Sequence, residues 1–168
     1  MDNMDNMDNM DNTTIYYIIV NKDLNCNSLH LGLNDKNDID DELDDYCFTN
    51  KDNIAKDLKY GTYIAEITIP YDAQVYKNVK QDIWKSDIIF INKHYPLKDW
   101  IGWNDEKFCM KAVEQNGNTL KYIPKRFKNK ELCESAVYNT GSALEFVPEE
   151  LKTKELCELA IKNYNFAL

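Results

Sequence analysis

The sequence predicts an α+β protein in two parts. A small sheet domain over residues 13–102 is followed by a short all-α solenoid of 24-residue helix-pair repeats over residues 103–168. Three observations predict this. Residues 13–20 (TTIYYIIV) and 62–69 (TYIAEITI) are β-branched and aromatic runs bounded by turn formers, as strands are. Cys109, Cys133 and Cys157 recur at intervals of 24 with their neighbours in phase, and such a period marks stacked helical units. With 168 residues, 43% of them hydrophobic, the chain can bury one ordinary core or two small ones.

In the first part, residues 13–20 read as a buried strand, and residues 26–33 as a turn or short extended piece ending near Gly32. Residues 46–49 are a brief apolar run. Residues 51–60 then read as a helix, with Thr49 or Asn50 as N-cap, Gly61 past its end, and Ile54, Ala55 and Leu58 on one face. Along residues 62–69, Tyr63, Ala65, Ile67 and Ile69 alternate with Glu66 and Thr68 until Pro70 closes the strand. Residues 86–91 (SDIIFI) form a further strand.

The net charge of −9 is concentrated. Residues 1–45 hold twelve acids against two lysines, whereas residues 46–168 hold 17 acids against 18 bases. Two segments carry the excess. Residues 1–12 are Met-Asp-Asn written four times, which has neither helical nor strand periodicity and reads as a disordered tail. Residues 34–45 (NDKNDIDDELDD) are too like-charged to pack and read as a solvated acidic loop. Within that loop Asp38, Asp40 and Glu42 alternate as calcium ligands do, but no placement supplies the glycine and the bidentate glutamate of an EF-hand. The near-neutral body has no basic stripe, so neither nucleic acid nor an anionic membrane is an expected partner. No run of about 18 apolar residues spans a bilayer. The opening residues lack the basic and apolar regions of a secretory signal, and five cysteines without a dense framework suit a reducing compartment. The expected location is therefore intracellular, not secreted.

Catalytic chemistry is sparse in the sequence. His30 and His94 are the two histidines, and no phosphate-cradling glycine loop, nucleophile elbow or His-Glu-x-x-His run occurs. Cys26, His30, Cys47 and His94 have the ligand types of a zinc site but not its paired spacing. The expectation is no metal, no cofactor and no catalytic residue.

Each repeat is predicted position by position, with units at 103–126, 127–150 and a partial 151–168. Asp105, Asn129 and Thr153 share one phase and are good N-caps. Each opens a helix whose apolar stripe runs through Cys109 and Ala112, Cys133 and Ala136, or Cys157 and Ala160, followed by Val113, Val137 or Ile161. Gly117, Gly141 and Asn165 are expected to close these helices in the left-handed conformation. A shorter second helix carries Leu120 or Leu144, with Leu168 in phase, and is stopped by Pro124 or Pro148. One such pair cannot bury its own face, so neighbours must stack. The periodic cysteines are expected to be small buried hydrophobes, because stacked helices lie about 10 Å apart while the Cα atoms of a disulfide sit within about 7 Å. Trp100 and Trp103, at the junction, are candidates for contact with the preceding domain.

The run from Glu131 to Lys152, Glu-Leu-Cys-x-x-Ala-Val followed by Gly-x-Ala-Leu-x-Phe-Val-Pro-Glu-Glu-Leu-Lys, resembles the short helical repeat catalogued as domain of unknown function 4116. Residues 17–24, 46–53, 60–70 and 84–93 are similar to an N-terminal module found before such repeats in mimivirus-type giant viruses. The resemblance implies a giant-virus source, hence host cytoplasm or virion, and one arginine against 19 lysines fits an AT-rich genome. No biochemical activity is implied. The leading expectation is a non-catalytic protein-interaction module whose partner is another protein. A structural virion component is one alternative. The other is a degenerate ADP-ribosyltransferase-like domain, since the order of elements resembles that fold. Such enzymes need His or Arg on the first strand and a late catalytic Glu, whereas residues 13–20 have neither and Glu66 lies mid-strand.

Overall fold

The computed structural model of the chain describes residues 15–20, 31–35, 46–78 and 83–165. It divides into two compact units, Met1–Pro96 and Leu97–Leu168. The tail at 1–12, Cys26, His30, most of the acidic loop and Leu168 lie outside the described residues.

The first unit is an antiparallel sheet. Its described strands are β1 (Tyr16–Val20), β2 (Gly32–Asp35), β3 (Tyr46–Asn50), β4 (Tyr63–Thr68), β5 (Val75–Asn78), β6 (Ile83–Ser86) and β7 (Ile88–Pro96). They hydrogen-bond in the order β2-β7-β4-β1-β3-β6-β5. Alternation sorts the side chains, because successive residues of a strand point to opposite faces. Tyr16 and Val20 of β1, Ala65 and Ile67 of β4, Ile89 and Ile91 of β7, and Tyr46 and Phe48 of β3 form one core cluster. Tyr16 and Phe48 meet edge to face, with ring centroids 5.3 Å apart.

The strand predicted over residues 86–91 is split. Ser86 ends β6 and Ile88 begins β7, with Asp87 between them. The Ser86 hydroxyl donates to the Ile88 carbonyl at 2.6 Å, and the Asp87 carboxylate accepts from the Gln74 amide at 2.7 Å. β6 and β7 stand four positions apart in the strand order, about 19 Å in a flat sheet at 4.8 Å per strand. A one-residue link cannot cover that distance, so the sheet curls around its core and the chain turns a corner at Asp87, as strands that switch sheets do.

The helix predicted over residues 51–60 is instead a series of turns around a 3-10 helix at Ile54–Lys56. Asn50 bonds the Asn53 amide with its side-chain oxygen at 3.2 Å. Asn and Asp side chains compete in this way with helical hydrogen bonding, and ten residues cannot overcome the nucleation cost unaided. The apolar face is right nevertheless: Ile54, Ala55 and Leu58 are all buried.

The second unit is helical. Helices α1 (Glu106–Gln115), α2 (Lys130–Asn139) and α3 (Lys154–Asn165) begin 24 residues apart. Each N-cap side chain accepts a first-turn amide: Asp105 from Phe108 at 3.2 Å, Asn129 from Leu132 at 2.9 Å, and Thr153 from Leu156 at 3.2 Å. The shorter helices are 3-10 helices over Gly117–Tyr122 and Gly141–Phe146. Pro124 and Pro148 follow them and open further 3-10 turns at Lys125–Phe127 and Glu149–Leu151, their fixed φ suiting a first-turn position.

The predicted left-handed closure is not what the structure has. Asn116 and Thr140 cap α1 and α2 in extended conformation, with φ of −154° and −142°, and among the described glycines it is Gly32, not Gly117, that has a positive φ. Gly117 is small for a different reason. A Cβ there would sit 2.0 Å from the Ala136 carbonyl oxygen, so glycine lets α2 lie directly against this backbone.

Trp100 and Trp103 pack within the second unit. Both meet the Phe108 ring, at 5.0 and 5.5 Å, and Trp103 stacks on Tyr122 at 5.6 Å. The indole N–H of Trp103 donates to the Leu97 carbonyl at 2.5 Å. These rings cover the first turn of α1.

Candidate functional site

The periodic residues fall in the helical interior. Cys109, Ala112, Leu120, Cys133, Ala136 and Ala160 are buried, while Leu144, Pro124, Pro148 and Cys157 are half-buried. Burial chiefly, with the charges of Asp105 and Glu106 adding, pushes the Cys109 thiol up to about 11. Burial also raises the Cys133 thiol, with Lys128 opposing. A thiolate is the reactive form, so both stay protonated and unreactive at neutral pH. The Cys109 thiol donates to the Trp103 carbonyl at 3.3 Å.

Side-chain amides link consecutive helices. Asn139 of α2 donates from Nδ2 to the Glu114 carbonyl of α1 at 2.6 Å, and Asn163 of α3 donates to the Tyr138 carbonyl of α2 at 2.7 Å. Both donors and both acceptors are in phase at 24 residues. Each bond satisfies a carbonyl in the last turn of a helix, where intrahelical partners run out. Asn139 also works in the other direction: its Oδ1 and the Thr140 hydroxyl accept from the Gly117 amide at 3.3 and 3.1 Å. The sequence reading missed these residues, although Gln115, Asn139 and Asn163 stand 24 residues apart and all carry a carboxamide.

Between α2 and α3 lies a groove of about 380 Å³ lined by Glu134, Ser135, Tyr138, Glu155, Leu156 and Leu159. The buried Leu156 and half-buried Leu159 make its floor apolar. Glu134 and Glu155 supply negative charge, and Tyr138 is 72% exposed. This surface too went unread. Its signal is that Tyr138 stands 24 residues from both Glu114 and Lys162, an aromatic ring where the same spacing otherwise holds a charge.

Glu66 sits mid-strand on β4, opposite Tyr17 on β1 and Lys93 on β7, and the Tyr95 hydroxyl hydrogen-bonds to it. Burial first, then the Glu66 charge and Tyr95, raises the Tyr17 phenol. Glu66 is thus flanked by two phenols and an ammonium group, with Tyr17 the buried one of the phenols. Cys47 on β3 pairs with Lys85 on β6, whereas His94 on β7 pairs with Ala65 on β4, so the two lie on strands that are not neighbours. The His94 ring lies against Tyr63 at 5.7 Å. Among the described residues no group of three or more His, Cys, Asp or Glu is placed to hold a metal, and no helix is long and apolar enough to cross a membrane.

Residues 103–128 and 129–168 match the family model of a domain of unknown function, DUF4116. The two DUF4116 matches meet at the N-cap Asn129, so the boundary falls where α2 begins. No curated protein and no solved structure matches the chain.

Proposed function

We propose that residues 103–168 form a short solenoid of 24-residue repeats that serves as a non-catalytic protein-interaction module. Three helix starts, three side-chain N-caps and two inter-helix amide bonds in phase support the repeat. Stacked repeats present extended binding surfaces because each unit's outward residues vary while its inward ones hold the stack. The observation that carries the reading is the α2–α3 groove, where an exposed Tyr138 stands over apolar floor residues between two carboxylates. Tyrosine in such a setting supplies large contact area with few rotors to order, as at the energetic centre of interfaces.

A protein is the expected partner. Residues 97–168 carry 11 acids and 11 bases, without the charge excess that releases counterions from nucleic acid. On the resemblance of its repeats and middle stretch, we further propose a mimivirus-type giant-virus source, with the module acting in host cytoplasm or virion. The test is affinity capture from infected or expressing cells with wild-type chain and with Tyr138→Ser. A partner recovered by the first and lost by the second, with an unchanged circular dichroism melt, supports the assignment. A partner held equally by both overturns it.

A further inference from the structure

We propose that Asn116–Gly117 is a site of self-modification, in which the Asn116 carboxamide cyclises onto the Gly117 nitrogen, and that the joint with α2 holds this reaction off. The chain has five glycines, and Gly117 is the one preceded by asparagine. Without a Cβ beside it, a glycine nitrogen approaches the preceding side chain with least hindrance. In the reaction the Gly117 N–H gives its proton to water or hydroxide and the nitrogen bonds to Asn116 Cγ. The bond from Cγ to Nδ2 breaks, and the side-chain nitrogen leaves as ammonia. Water then opens the five-membered imide. Opening at the main-chain carbonyl gives isoaspartate, and opening at the side-chain carbonyl gives aspartate.

The fold prepares one half of this chemistry and withholds the other. Asn116 Oδ1 accepts from the Asn118 amide at 3.0 Å, which draws electron density from the carbon to be attacked. The nitrogen is held back. Gly117 is buried, and its N–H is given to Asn139 Oδ1 at 3.3 Å and to the Thr140 hydroxyl at 3.1 Å, so the proton that must leave is shielded and shared. Asn116 is extended, with φ of −154° and ψ of 106°. That ψ sets the Gly117 nitrogen beside the Asn116 Cα hydrogen and away from Cβ, so the ring closes only after rotation about the Cα–C bond. The rotation turns the Gly117 amide away from both acceptors. Asn139 ends α2 and Thr140 caps it, so separation of α2 removes these restraints together. The in-phase Thr140–Gly141 pair has no carboxamide and lacks the chemistry. Isoaspartate lengthens the main chain by one carbon at a place where even a Cβ would sit 2.0 Å from the Ala136 carbonyl oxygen. A converted chain therefore cannot rebuild the joint, and the site keeps a covalent record of its opening.

The test incubates the full chain at mildly alkaline pH and follows the tryptic peptide Ala112–Lys121 by tandem mass spectrometry, beside the same peptide made synthetically. Isoaspartate at 116 is the signature of the ring, since direct hydrolysis yields aspartate alone. The expected conversion in the folded chain is slower than in the peptide by about tenfold or more, because it waits on local opening. Asn139→Ala should quicken it about fivefold, whereas Ile67→Val, a comparable loss in the sheet core, should leave it unchanged. In wild type the rate should climb at urea concentrations below the main unfolding transition, as separating one joint exposes less surface than unfolding. Folded chain and peptide converting at equal rates overturns the proposal, as does a peptide that yields no isoaspartate. It is overturned too by an unchanged rate in Asn139→Ala, by equal acceleration in Ile67→Val, or by a wild-type rate flat in urea until the main transition.

Discussion

Replacing Gly117 with alanine tests whether the helices stack by direct backbone contact. The added methyl would lie 2.0 Å from the Ala136 carbonyl oxygen, 2.9 Å from its carbonyl carbon and 2.9 Å from the Thr140 Cβ. Two of these atoms are backbone, so no rotamer change relieves the clash. Either α2 moves away or the 3-10 helix deforms. Overpacking of this kind costs about 1–3 kcal/mol. Movement would also break the Gly117 amide's bonds to Asn139 and Thr140, worth about 1 kcal/mol as one shared donor. Reduced freedom of the unfolded chain returns about 0.4–1 kcal/mol. The net expectation is a loss of about 1–3.5 kcal/mol. It is read by urea denaturation followed through helical circular dichroism, with amide exchange on α2 rising before that on the sheet. A Gly117→Ala variant as stable as wild type, with α2 protection unchanged, would refute the reasoning.

Asn139→Ala and Asn163→Ala each remove a donor to a terminal carbonyl, so each should cost about 1 kcal/mol in the same urea assay, the former more because it also loses the Gly117 contact; no loss in either would deny the amide bonds any stabilising role. Cys109→Ala should flatten the alkaline limb of the stability curve. A thiol raised to about 11 contributes stability that is intact below its ordinary value near 9 and is lost as pH rises through the folded value, by up to about 1–2 kcal/mol after allowing for screening; parallel wild-type and variant curves from pH 8 to 11 would contradict this. Trp103→Phe deletes the N–H that satisfies the Leu97 carbonyl and should cost about 1–3 kcal/mol by thermal melt. Cys133→Ala should be mildly destabilising and chemically silent toward thiol reagents on the folded chain.

What was legible in the sequence is what local physics decides. Asp105, Asn129 and Thr153 are N-caps because a short side chain reaches an amide three residues on, whatever the surroundings. Tyr16–Val20 is a strand because every residue is branched or aromatic, and Tyr63–Thr68 because Ala65 and Ile67 alternate with Glu66 and Thr68. The failures are non-local or marginal. Val75–Asn78 has one β-branched residue and is held as a strand by its pairing with β6. The corner at Asp87 depends on Gln74, 13 residues away. Gly117 looks like a helix stop, and only the arrival of Ala136 nineteen residues later shows why it must be glycine. Tyr138 and the amides of Asn139 and Asn163 were visible as phase statistics, but their partners are carbonyls and open space, which no residue letter records.

The amide bonds between helices have a consequence for how such chains change over time. Asn139 and Asn163 grip main-chain carbonyls, a feature every residue type supplies. The gripped residue can therefore carry any outward side chain, as Glu114 of α1 and Tyr138 of α2 do, without losing its alignment to the next helix. Variation on the outer face is thereby uncoupled from the joint that holds the helices together.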